Sequence, residues 1–121
     1  MAETGDPTPR LASRHCVPCE GGVQPLDTKA IDSLKAQVEG WEIVDGQHLR
    51  KTWKLPDFRS ALAFVNRVGE AAECEGHHPD IALGWGRVEI TLWTHAAKGL
   101  TENDFILAAK IDRLPVALKN P

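Results

Sequence analysis

At 121 residues and 13.3 kDa the chain is long enough for one hydrophobic core and too short for two. Hydrophobic residues at 42% and charged residues at 26% match an ordinary globular composition, which excludes wholesale disorder and fibrous repeats. Lys and Arg number 14 against 17 Asp and Glu, a net charge of -3, and the longest basic run is Arg50-Lys51, so neither nucleic acid nor an anionic membrane is an expected partner.

Residues 1–24 are expected to form a flexible N-terminal tail that carries a Cys16-x-x-Cys19 segment, with 25–121 as a single domain. Met1 to Arg14 is polar and holds Asp6, Pro7 and Pro9 where a signal peptide needs an apolar block, and no apolar run nears the roughly 20 residues of a membrane span, so a cytoplasmic location is expected. An odd cysteine count, 3, in such a compartment argues for reduced thiols.

Asp27 or Thr28 caps a first helix whose apolar positions are Ile31, Leu34 and Val38, with Gly40 at its left-handed end. Trp41 to Val44 and Leu49 to Leu55 flank the turn dipeptide Asp45-Gly46 and read as a hairpin. Pro56 and Asp57 open a long helix ending at Gly76, on which Phe58, Ala61, Leu62, Phe64, Val65, Val68, Ala71 and Ala72 spread over about half the circumference. That arc exceeds one core contact, so Phe64 and Ala71, at its rim when measured from Phe58, are expected to face another subunit. A second strand pair runs from Ile81 to Trp85 and from Arg87 to Thr94, with Val88, Ile90 and Leu92 alternating against polar neighbours. Thr101 and Asp104 have the spacing of a capping box, and Leu107, Ile111 and Leu114 give the third helix its core side before Pro115 weakens it. The order α-β-β-α-β-β-α predicts an α+β fold, a four-stranded antiparallel sheet with three helices packed on one face.

Three of the 5 histidines, His77, His78 and His95, fall at element ends, where a rigid scaffold can present a group that exchanges protons near neutrality. A histidine at a helix end also serves as a simple dipole cap. Pro79 pushes His78 toward extended backbone, so the adjacent rings should diverge. Glu73 stands four residues before His77 and would orient its imidazole if the helical path ran on through Gly76, while Asp104 already has a capping task. Cys16 and Cys19 supply too few ligands for a structural zinc site and lack the βαβ context of a redox pair, which leaves packing or interaction as their reading. Nucleotide-binding, triad-hydrolase and zincin motifs are absent from the sequence.

The constellation Glu73-x-x-x-His77-His78-Pro79, Trp85, His95 and Asp104, with Thr94-His95-x-x-x-Gly99-Leu100-Thr101 inside it, resembles the pterin-4a-carbinolamine dehydratase family, and the element order agrees over roughly residues 25–118. The resemblance implies loss of water from a 4a-hydroxytetrahydropterin to give the quinonoid dihydropterin, which recycles the cofactor of aromatic amino acid hydroxylases. It further implies His77 and His95 as an acid–base pair, His78 as a catalytic histidine on the pterin, and Glu73, Pro79, Trp85 and Asp104 as substrate-binding groups or orienting partners. No metal and no cofactor is implied, and a homodimer or homotetramer is. Relatives that act as transcription-factor dimerisation partners or Rubisco assembly factors supply the alternative, a non-catalytic adaptor, which has no chemical need for three histidines and a carboxylate in register.

Overall fold

The computed structural model describes residues 11–18 and 23–119. Strands β1 (Glu42–Val44), β2 (His48–Lys54), β3 (Asp80–Gly84) and β4 (Arg87–Leu92) form one antiparallel sheet in the order β1-β2-β4-β3. Asp45 and Gly46 both take positive φ, 55° and 69°, the pair of left-handed residues that lets the tight turn between Val44 and His48 follow the twist of its strands. Opposite residues share a face, and the register puts Leu49 against Leu92 and Trp53 against Val88 on the core side. The other face carries Arg50, Glu89 and Arg87, joined by ion pairs of 3.1 and 2.8 Å on Glu89.

Helices α1 (Thr28–Lys35), α2 (Phe58–Glu75) and α3 (Glu102–Asp112) cover the core face, in the predicted order. Asp27 caps α1 through the Ala30 N–H at 2.9 Å, and α1 ends before Gly40, whose φ of 83° instead turns the chain into Trp41. Asp57 caps α2 through the Ser60 N–H at 2.8 Å; that hydrogen bond and the Ser60 hydroxyl hold its carboxyl below the ordinary value. Gly76 ends α2 in the left-handed region, φ 66°, with its N–H on Glu73 O and the His77 N–H on Ala72 O, a Schellman closure. Among the described residues no helix is long and apolar enough to cross a membrane.

The core stripe of α2 is Ala61, Phe64, Val68 and Ala72. Phe64 is fully buried and packs on Trp53 with ring centroids 5.0 Å apart, which overturns its expected place at a subunit contact. Phe58 is not the centre of the apolar arc: at 100° per residue the stripe centres about 80° round from it. The surplus falls on the other edge, where Phe58 and Leu62 are 45% and 41% exposed. Ala71 is half-buried against the core.

The expected tail is a docked segment over residues 11–18. Leu11, 4% exposed, joins the core; Lys110 Nζ donates to Ala12 O at 3.0 Å, and Arg14 pairs with Glu102 at 2.6 Å. Cys19 lies outside the described residues.

Candidate active site

The polar first turn of α3 is buried because it must meet two neighbours. Asp104, 0% exposed, accepts the Thr101 N–H at 3.0 Å and the Thr94 hydroxyl at 2.8 Å on Oδ2, while Thr94 and Thr101 hydroxyls lie 2.8 Å apart. Its other oxygen, Oδ1, is 2.6 Å from His77 Nε2. The capping carboxylate predicted from the sequence therefore also fixes an imidazole. With two donors on Oδ2, Asp104 holds the His77 ring by Nε2 through Oδ1 and leaves Nδ1 as that ring's second nitrogen.

The Schellman turn at Gly76 explains the pairing. It reverses the chain, so Glu73 does not reach His77, as the helical spacing suggested; it pairs with His78 instead, Oε2 to Nε2 2.5 Å. His77 turns inward, its side chain 11% exposed, and His78 outward at 58%. The two rings diverge as Pro79 requires.

His95 opens a single 3₁₀ turn, His95–Ala97, after β4, closed by the pairing of Thr94 N–H with Gly99 O at 2.9 Å. Its ring lies on Trp93, centroids 4.0 Å apart, and Trp93 is met edge-on by His48 at 4.9 Å. Together His77, His78, His95, Trp93, Val17 and Asn103 line a cleft of about 350 Å³. A cleft of that volume suits a small ligand.

Not every expected residue joins this cleft. Glu73 reaches it through His78, and Asp104 stands behind His77. Pro79 shapes the backbone and does not line it. Trp85, expected at the pocket, is 72% exposed on the β3–β4 turn, whereas the cleft lies at the opposite end of that hairpin, about 20 Å away along the strand. Trp93, Val17 and Asn103 escaped the sequence reading. Trp93 fell in the solvent-facing phase of the β4 alternation, and Asn103 was hidden within a capping box.

The described residues gather no group of three metal-ligating side chains, and Cys16 Sγ is 3.5 Å from Asn103 O. The family model for Pterin 4 alpha carbinolamine dehydratase matches residues 24–114. The chain belongs to this family. A relative in Rubrobacter xylanophilus is 58% identical over 104 residues, 86% of this chain and 97% of its own length. One in Rickettsia bellii is 48% identical over 105 residues, 86% and 93% of the two chains. Both are provisionally named pterin-4-alpha-carbinolamine dehydratases. Among solved structures, a transcriptional coactivator/pterin dehydratase from Brucella melitensis superposes with a TM-score of 0.69 at 31% identity, covering 74% of this chain and 96% of its own. A pterin dehydratase-like RuBisCO assembly factor of the alpha-carboxysome gives a TM-score of 0.52 at 25% identity, covering 61% and 87%.

Proposed function

We propose that the chain eliminates water from a 4a-hydroxytetrahydropterin, with His77 and His95 exchanging the two protons. The reading rests on one observation: three imidazoles line one cleft, and of these His77 has a nitrogen taken by a buried carboxylate while His78 is held by an exposed one. In the reaction the C4a–O bond breaks and the oxygen leaves as water, so it must receive a proton; N5 gives up its proton and forms a double bond to C4a. With Nε2–H held by Asp104, His77 presents the Nδ1 lone pair and takes the N5 proton. His95, exposed at the rim of the cleft, supplies the proton to the departing oxygen. Return of one proton to His95 and loss of one from His77 through water restores both, so no net charge is left behind. His78, held by Glu73, supports the substrate at the mouth.

Turnover of chemically generated 4a-hydroxytetrahydropterin, read as appearance of the quinonoid dihydropterin, tests this. His77→Ala and His95→Ala should each lower kcat by about 10² to 10⁴, the range for removing a general acid or base, with unchanged circular dichroism. Rates unaltered in both variants would refute the assignment. The likeness to a transcriptional coactivator/pterin dehydratase and to a RuBisCO assembly factor favours a second reading, an adaptor that assists a larger assembly. An adaptor leaves the same substrate to decay at the uncatalysed rate.

A further inference from the structure

The segment from His15 to Val17 is held to the domain by buried polar groups as well as by Cys16, which packs against the core. Asn103, 4% exposed, uses both ends of its carboxamide on one residue: Nδ2 donates to Val17 O at 2.7 Å and Oδ1 accepts the Val17 N–H at 3.0 Å. That is the pairing of a β ladder made by a side chain. Glu75, its side chain 5% exposed, accepts the Cys16 N–H at 2.8 Å on one oxygen and meets His15 Nδ1 at 3.0 Å and Lys110 Nζ at 3.5 Å on the other. Burial opposes the charge of Glu75, but those donors outweigh it and hold the carboxyl below its ordinary value.

The side chain so presented is 65% exposed. A segment docked only to cover the core would bury its valine, as Leu11 is buried; here a fixed backbone leaves an apolar side chain at the edge of the cleft that holds His77 and His95. Asn103 is next in sequence to Asp104, so one turn of α3 sets both the position of Val17 and the ring of His77.

We propose that Val17 is a specificity-determining residue, the wall against which the substrate's C6 substituent rests, with Asn103 and Glu75 as its positioning residues. The inference rests on the dehydratase reading. In a pterin, C6 is bonded to N5, which is bonded to C4a; with C4a and N5 at the histidines, the C6 substituent is the part that leaves toward the cleft mouth. Val17 offers that substituent a small apolar contact and sets how much room it has.

Two substrates separate the wall from the chemistry: 4a-hydroxytetrahydrobiopterin, with a dihydroxypropyl group at C6, and its 6-methyl analogue. Val17→Trp, at an exposed side chain that the fold does not need, should raise KM for the first at least tenfold and for the second less than threefold, with kcat for both within threefold of the unaltered protein. In an Asn103→Ala background, where Val17 is no longer held, the same substitution should change either KM less than threefold; should that background fail to fold by thermal melting, the Val17→Trp comparison decides. Equal KM changes for the two substrates, or none, with normal turnover by the unaltered protein, would overturn the wall and leave the dehydratase reading intact. Absence of turnover by the unaltered protein would overturn both.

Discussion

Asp104 is where folding and chemistry share one side chain. A buried carboxylate that caps a helix, accepts a threonine hydroxyl and orients an imidazole cannot be altered for one task without the others. Asp104→Asn keeps the volume and one acceptor but must present an N–H toward one of its donors. We expect it to lower kcat and to destabilise the fold by about 1–3 kcal/mol, the cost of a buried polar group left without its partner. Chemical denaturation and turnover measured on one preparation check this; loss of stability with full activity would show that Asp104 caps α3 and does nothing for His77. The histidines of the cleft and their two carboxylates were legible in the sequence through the resemblance, and their pairings were not. Glu73 stood at helical spacing from His77, yet the reversal at Gly76 gives Glu73 to His78 and leaves His77 to Asp104.

At the scale of elements, the caps and turns carried most of the information. Asp57, Gly76, Asp45-Gly46 and the Thr101–Asp104 pair each stand where local rules put them, because the chemistry of a helix end or tight turn depends on a few neighbouring residues. Gly86 is such a position. Its φ is 70°, and a Cβ there would stand 2.9 Å from the backbone oxygen of Leu55, which bonds back to this turn through the Leu55 N–H and Gly86 O at 2.9 Å. Gly86→Ala should therefore destabilise the fold by about 1–2 kcal/mol from the left-handed backbone, with the clash added, and lower Tm; an unchanged Tm would contradict the register of this hairpin. Residues 11–18 were illegible for the opposite reason, since side-chain clamps from distant helices leave no periodicity in the segment they hold. Glu75 makes that clamp sensitive to pH. A carboxyl lowered in the folded state contributes stability that is present above its unfolded value, about 4.3 for glutamate, and is lost as pH falls through the depressed folded value. Hydrogen exchange at the Cys16 N–H should thus stay slow at pH 6 and quicken below about pH 4, relative to the intrinsic rate, before global unfolding. Protection that persists unchanged into acid until the whole domain unfolds would contradict the clamp.

For the whole molecule, the apolar surface left over is what points beyond one chain. Phe58 and Leu62, one turn apart on α2, are both more than two-fifths exposed, and β1 and β3 are open sheet edges. We expect a dimer or larger by sedimentation, with Phe58→Glu and Leu62→Glu together lowering the assembly state while each chain keeps its fold. Phe64→Glu should instead unfold the chain, since losing a buried Phe already costs about 3–5 kcal/mol out of a typical 5–15. A monomer at micromolar concentration would contradict the reading of that patch. The period of α2 was clear in the sequence, but the direction of its stripe was not, because only the packed Trp53 ring shows that Phe64 belongs to it. Whether two histidines exchange opposite protons across one cleft is read from the pH dependence of kcat for 4a-hydroxytetrahydropterin dehydration. A bell with two limbs is expected, the acidic limb vanishing in His77→Gln and the basic limb in His95→Gln. A bell that keeps both limbs in both variants would contradict that exchange.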